Sequence, residues 1–400
     1  MTLPRFIQIH SLVSYPAVLL NRDDAGLAKR ISYGGAVRTR VSSQCLKRHW
    51  RIAEDDWNLK NTGLELSVRS REIFEYEIGP EVEKELPGID ADALKAVGGA
   101  LSRAIYGDKA DDLRKRQALL LGWPELRFLT AEAIAILKDN PDADTAAKAA
   151  EARFKGKDAK ANFAAMKETA GSLAAGLEAA LFGRMVTSDP TANTDAAIHV
   201  AHAFTVHAQE SETDYFTVVD DLKNRDPDED SGSAGIFDTE LTSGLFYEYV
   251  VIDVPLLVSN ITGVKPESWA ASGVDRALPA KVAEHLLHLV ATISPGAKKG
   301  STAPYARAST LLVEAGSVQP RSLAKAFEKP VAPRKDQSQG TLAETALFAA
   351  LGKFDAIYGK SEARAYASFD GADFAGLAAG PQTLDALGGW LNGAIARAEV

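Results

Sequence analysis

Residues 22–51 hold eight basic side chains, Arg22, Lys29, Arg30, Arg38, Arg40, Lys47, Arg48 and Arg51, against two acidic ones, Asp23 and Asp24, for a local charge of +6. A strip of this kind can neutralise phosphates, which supply most of the affinity in nucleic-acid binding. A helix beginning after Ser42 or Ser43 and running to about Trp57 places Leu46, Trp50, Ala53 and Trp57 on one face at about 100° per residue. Gln44, Lys47, Arg48 and Arg51 then share the opposite face, beside a helix N-terminus whose free N–H groups also favour anions. A strand over 36–41 puts Val37, Thr39 and Val41 on one side and Arg38 and Arg40 on the other, approaching the same place. The bland alternative is a solvated helix face, but such faces normally mix signs.

Other chemistry is thinner. The Gly-rich loop 294–307 carries Lys298, Lys299 and Arg307 and could cradle a backbone phosphate. It lacks the Gly-Lys-Ser/Thr pattern, which argues against ATP or GTP. His199, His202 and His207 diverge if 196–208 is a strand, so they are expected to be structural or RNA-contacting rather than metal ligands. Asp23 and Asp24 could hold a divalent ion for phosphodiester cleavage. Adjacent carboxylates in an extended chain point apart, however, and a loop held by Asx-type hydrogen bonds is the better reading. No Gly-x-Ser-x-Gly elbow is present. Neither a metal nor a cofactor is expected.

The elements that must position these residues are of two kinds. Strands are expected over 4–15, 36–41, 196–208, 243–261 and 308–314, and the block 58–190 reads as helical and alanine-rich. A helix is expected at about 279–293, and the C-terminal sixty residues read as helical. Sheet segments on both sides of a helical block give an α+β class. Residues 210–230 hold nine acidic residues against two basic ones, a local charge of −7, in a stretch that reads as a protruding loop or hairpin over 209–242. The whole chain is 400 residues with a net charge of −9. Its single cysteine, Cys45, excludes a disulfide framework and suits a reducing compartment. With no apolar run near the ~18 residues of a membrane span, a soluble, cytoplasmic protein is expected.

Ordered motifs carry a resemblance. Asn21-Arg22-Asp23-Asp24, Tyr33-Gly34-Gly35, and Arg38-Thr39-Arg40-Val41-Ser42-Ser43-Gln44 with Leu46-Lys47-Arg48 open the series. Gly183-Arg184-Met185, Ala201-His202-Ala203, Asp214-x-Phe216-Thr217 with Val219-Asp220-Asp221-Leu222, Ser243-Gly244-x-Phe246-Tyr247 and Pro295-Gly296-Ala297-Lys298 follow. Together they resemble the crRNA-binding backbone subunit of the type I-E CRISPR surveillance complex, Cascade (the CasC group). The resemblance, which runs from residue 6 to about 330, implies a modified RRM-like (ferredoxin-like) palm at 1–58 and 182–340, helical fingers at 59–181 and a thumb hairpin at about 209–242; residues 341–400 are read as a C-terminal helical segment. It implies several copies stacked head-to-tail on guide RNA, with other Cascade subunits and target DNA as further partners and no membrane. The guide is kinked at regular intervals and presented for base pairing in antiviral defence. Arg22, Lys29, Gln44, Lys47, Arg48 and Arg51 would hold RNA backbone, and Met185 and Phe216 would be apolar wedges at the kink. Arg38, Arg40, Ser42, Lys298 and Lys299 complete the expected RNA-binding set. The subunit is expected not to be an enzyme. The competing readings are a metal-dependent ribonuclease using Asp23 or Asp24, as in related CRISPR backbone subunits, and a scaffold that never touches RNA. The thumb's Asp228-Glu229-Asp230 departs from an RNA-binding surface and suits a neighbouring protein's basic face.

Overall fold

The computed structural model describes residues 3–154, 162–217, 236–297, 299, 301–374 and 376–397. The chain is α+β and divides into two compact units, one of Met1–Asn58, Val200–Val251 and Ala283–Val400, the other of Leu59–His199 and Ile252–Val282.

The first unit is built on strands β1 (Phe6–Val18), β2 (Arg30–Tyr33), β3 (Ala36–Val41), β4 (Ala203–Thr205), β5 (Glu210–Thr217), β6 (Ile236–Asp253), β7 (Ala308–Gly316) and β8 (Ala363–Ser368). Along the sheet the order is β8-β7-β1-β6-β4-β3-β2, so strands distant in sequence lie side by side. β1 runs antiparallel to β7 from Phe6↔Gly316 to Val13↔Ala308. Ile7 to Val13 of β1 are all buried, which explains why this strand reads as an apolar run without clean alternation: both faces are covered. The helix Gln339–Tyr358 lays Leu347, Phe348 and Leu351 against Leu12, Tyr247, Leu312 and Tyr366. The helix Leu384–Arg397 packs on β7 and β8.

The second unit packs the helices Ala91–Tyr106, Trp123–Asp139, Ala143–Phe154 and Phe163–Ala170 around Val97, Leu101, Leu129, Leu137 and Phe154. A short antiparallel ladder joins Ser67–Ser70 to Leu119–Gly122. Among the described residues no helix is long and apolar enough to cross a membrane.

Several expected boundaries move. The strand expected to reach 261 stops at Asp253, whose side chain accepts the Leu256 N–H at 3.0 Å and caps a helix, Val254–Thr262, with Pro255 in its first turn. The strand expected over 196–208 is broken into Ile198–Val200 and Ala203–Thr205. The C-terminal segment 341–400 is not wholly helical. Its residues 363–368 form β8, held to β7 by the ladder and by the Arg364 guanidinium on Glu314 at 2.7 Å. Segments 182–199 and 252–282 belong to the unit that contains 59–181, not to the sheet unit. At the expected thumb, β5 pairs with the first half of β6 from Glu210↔Ser243 to Thr217↔Ile236, and all eight residues of β5 are exposed. Residues 218–235, including Asp228-Glu229-Asp230 and Val219-Asp220-Asp221-Leu222, lie outside the described residues.

Candidate nucleic-acid interface

The helix α1 (Ser43–Arg51) starts where the Ser42 side-chain oxygen accepts the Cys45 N–H at 3.3 Å. The Ser42 N–H donates to Asn21 Oδ1 at 2.9 Å, tying the preceding loop to the helix start. Asp23 folds that loop: its Oδ1 accepts the N–H groups of Ala25 at 2.9 Å and Leu27 at 3.0 Å, with Gly26 supplying a φ of 85°. The Lys29 N–H donates to the Asn21 carbonyl at 2.9 Å, and the Lys29 carbonyl accepts the Arg40 N–H at 2.8 Å. Backbone hydrogen bonds thus bring Lys29 and Arg40 to the N-terminal end of α1.

Leu46 and Trp50 bury one side of α1, while Gln44 and Arg48 are exposed and Lys47 and Arg51 half-buried. Burial lowers the Lys47 pKa. The helix ends at Arg51, short of Trp57. There Asp55 accepts the Trp57 N–H at 3.2 Å in a local turn that competes with helix, and the Trp57 ring stacks on His288 at 3.4 Å.

Three titratable groups register the surrounding cations. Burial, then Arg40 and Lys29, lower the His202 pKa. Burial raises the Cys45 thiol against the opposing pull of Lys29 and Arg48. Burial lowers His49, the hydrogen bond to the Cys45 carbonyl works the other way, and Lys299 and Arg48 add to the lowering. Lys29, Arg40, Arg48 and Lys299 thus all act on groups in or beside α1. A cleft of about 540 Å³, lined by Asn21, Arg22, Asp23, Asp24, Cys45, His49 and Ala297 among others, lies in the same region. His202 Nδ1 takes the Ser43 N–H at 3.2 Å and lies 3.3 Å from the Arg40 guanidinium, so Nδ1 is the acceptor and the neutral ring carries its proton on Nε2.

Two expected contacts are corrected. Arg38 is fully buried and donates to the carbonyls of Thr205 at 2.8 Å and Phe327 at 2.9 Å. It is a strut inside the sheet unit and does not face a ligand. The chain passes so close here that a Cβ on Gly34, at φ 60°, would sit 1.5 Å from the Glu328 carbonyl oxygen. Strand alternation put Arg38 and Arg40 on one side but did not show which side was covered, and Val37, on the other side, is exposed. Ser42 is buried, and its side-chain oxygen serves as the helix cap. Two of the N–H groups expected to await an anion, those of Ser43 and Cys45, are taken by His202 and Ser42. Arg30 pairs with Glu240 at 2.5 Å. Lys298 lies outside the described residues.

Met185, in the second unit, is exposed on a firmly held loop. Its carbonyl accepts from Gln117 Nε2 at 3.0 Å, Arg184 turns inward to Glu125 at 2.6 Å, and the Val186 N–H donates to Asn193 Oδ1 at 2.7 Å. Phe216, in the first unit, is exposed and stacks on Phe237 across the β5–β6 pair at 5.6 Å. His207 is buried, with Nε2 accepting the Leu245 N–H at 3.1 Å, whereas His199 is exposed. Among the described residues no three His, Cys, Asp or Glu side chains group to hold a metal ion. Sequence reasoning missed Asn21 as the tie between loop and helix, and His49. The only available signal for His49 was its position four residues after Cys45, one helical turn away.

A family model described as CT1975-like protein matches residues 7–389. No curated protein matches the chain. A solved chain from a "CRISPR RNA-guided surveillance complex, pre-nicking" has a similar fold, with a TM-score of 0.68 and 24% identity over 96% of this chain and 99% of that one. A second, from a "CRISPR RNA-guided surveillance complex", has a TM-score of 0.55 and 21% identity over 96% and 98% of the two chains.

Proposed function

The chain belongs to the CT1975-like protein family, and we propose that it is a non-catalytic backbone subunit that holds guide RNA in a type I-E CRISPR surveillance complex. On this reading copies stack head-to-tail along the guide on RRM-like palms. Arg22, Lys29, Arg40, Gln44, Arg48 and Lys299 hold phosphates. Met185 and Phe216, the latter with Phe237 beneath it, act as wedges that kink the strand and leave the intervening bases to pair with target DNA. The observation that carries the proposal is the basic cluster at the start of α1 in an otherwise acidic chain: the Arg40 guanidinium lies 3.3 Å from His202 Nδ1, which takes the Ser43 N–H at 3.2 Å, and Arg48 is exposed on the helix. The fold shared with surveillance-complex chains supports it. The ribonuclease alternative uses Asp23 or Asp24 as a metal ligand; one oxygen of Asp23 already accepts two backbone N–H groups, and among the described residues no three His, Cys, Asp or Glu side chains group to hold an ion.

The test is the salt dependence of single-stranded RNA binding. Each phosphate neutralised contributes a slope of about −0.7 in log affinity against log salt. Replacing Arg40, Arg48 and Lys299 together by Gln should flatten the slope by about two units. An unchanged slope would overturn the assignment.

A further inference from the structure

We propose that Tyr305 is a stacking platform for one unpaired base of the RNA strand whose phosphates cross the α1 field; this rests on the RNA-binding reading above. Tyr305 is 74% exposed, yet the loop that carries it is fixed at several points. Ser294 Oγ accepts the Ala306 N–H at 2.9 Å and donates to the Ala306 carbonyl at 3.0 Å, clasping the loop immediately beside Tyr305. The Tyr305 N–H donates to the Ala303 carbonyl at 2.7 Å, and the Ala297 N–H reaches back to the Leu19 carbonyl at 3.0 Å. The loop closes so tightly that a Cβ on Gly296 would lie 2.7 Å from Pro304 Cγ. A large aromatic ring held out to solvent by a tied backbone gives up little conformational freedom on binding.

The identity of the occupant follows from charge. Lys299 Nζ lies 6.0 Å from the centroid of the Tyr305 ring, within reach of a cation–π contact. Gly296 and Ala297 of the same loop line the cleft with Cys45 and His49 of α1, and Lys299 acts on His49. The ring and its neighbouring cation therefore sit on the loop that borders the α1 surface. A ring face beside a phosphate-binding cation is the arrangement that single-stranded nucleic acid uses, with one π-face for the base and charge for the backbone. Because every base has a π-face, the site should be indifferent to sequence.

The experiment measures binding of the purified full chain to a labelled single-stranded RNA of mixed sequence, as wild type and as Tyr305→Ala, Tyr305→Phe and Arg48→Gln. Tyr305→Ala should weaken binding about 5- to 150-fold, the equivalent of a stacking loss of about 1–3 kcal/mol per base, with the salt slope unchanged because no charge is lost. Tyr305→Phe, which keeps the ring, should bind within about twofold of wild type, and the thermal midpoints of all variants should agree because the ring is exposed. Wild-type binding by Tyr305→Ala beside weakened Arg48→Gln would overturn the platform and leave the RNA-binding reading standing. A Tyr305→Phe variant as weak as Tyr305→Ala would also overturn it, since the hydroxyl would then be the contact. A wild-type chain that binds no RNA would overturn both.

Discussion

Glu248 and Glu314 are both buried in the sheet unit, and their surroundings drive them in opposite directions. Burial alone would raise Glu314, but hydrogen bonds from Arg321 and His10 outweigh it and hold the carboxyl well below the usual carboxylate range. His10 Nε2 then donates to the ionised Glu314 at 2.9 Å, while its Nδ1 accepts from the Tyr247 hydroxyl at 2.8 Å. Glu248 has only the burial, which pushes its pKa up to about 8 from an ordinary 4.5. It is therefore neutral in the folded chain near pH 7 and ionised in the unfolded one. Its cost is absent below about pH 4.5, grows as the unfolded carboxyl ionises, and levels off above about 8. Glu248→Gln should accordingly stabilise the protein by a few kcal/mol, on the order of 1.4 per unit of pKa difference, at pH 8 and by almost nothing at pH 4. Urea midpoints at the two pH values decide this, and a gain that is equal at both, or larger at pH 4, contradicts it. The same scale shows where sequence reading fails. Arg38 and Arg40 are the same residue type two positions apart, yet Arg38 lies among carbonyls in the interior and Arg40 lies beside exposed His202. The difference is made by Phe327 and Glu328, nearly 290 residues away in the chain, and no local pattern carries that information.

At the level of elements, the β5–β6 hairpin shows what local pattern does carry. The acidic stretch 210–230 led to the expectation of a protruding loop or hairpin over 209–242, and every residue of β5 is exposed. Phe216 stacks on Phe237 at 5.6 Å, and both rings face solvent. Truncating Phe216 therefore removes a surface contact and leaves the core intact. Phe216→Ala should cost the lone subunit less than about 1 kcal/mol, against about 3–5 for a buried phenylalanine, while RNA-dependent assembly weakens. A large fall in the monomer's thermal midpoint with normal assembly would make the pair a structural pin instead. The cap of α1 and the covering of Leu46 and Trp50 were legible for a similar reason: Ser42 and the 3.6-residue spacing act locally. The end of α1 was not, because Trp57 leaves the helix to stack on His288, a residue on a distant helix. β8 was hidden likewise. Its Ala-Arg-Ala-Tyr-Ala-Ser run has no strong strand signal, and it is held by a ladder to β7 and by Arg364 on Glu314 and Asp355.

For the whole molecule, the net charge of −9 conceals its partition, +6 over 22–51 and −7 over 210–230. A chain with one cationic surface and one acidic one is complementary to a second copy of itself, and if the two surfaces do not coincide the contact cannot close a dimer. Such heterologous contacts give open arrays. On the proposed reading, the exposed Glu210, Glu212, Asp214 and Asp238 of the β5–β6 pair would supply the acidic partner, and the basic residues around α1 both the other protein surface and the RNA contact. RNA would then act as a ruler. On single-stranded RNAs of increasing length, the number of copies per strand should rise in steps, and the arrays should fall apart as salt is raised, since exposed charges are screened within about 8 Å at physiological ionic strength. Mass measurement of the complexes over a length series reads the steps directly. The same samples, incubated with Mg²⁺ or Mn²⁺ and a complementary RNA, should keep every strand intact, because among the described residues no three His, Cys, Asp or Glu side chains group around Asp23 or Asp24 to hold an ion. One copy per RNA at every length would end the stacking reading while sparing RNA binding. Cleavage that disappears in Asp24→Ala would instead make the chain a metal-dependent ribonuclease and leave the stacking intact.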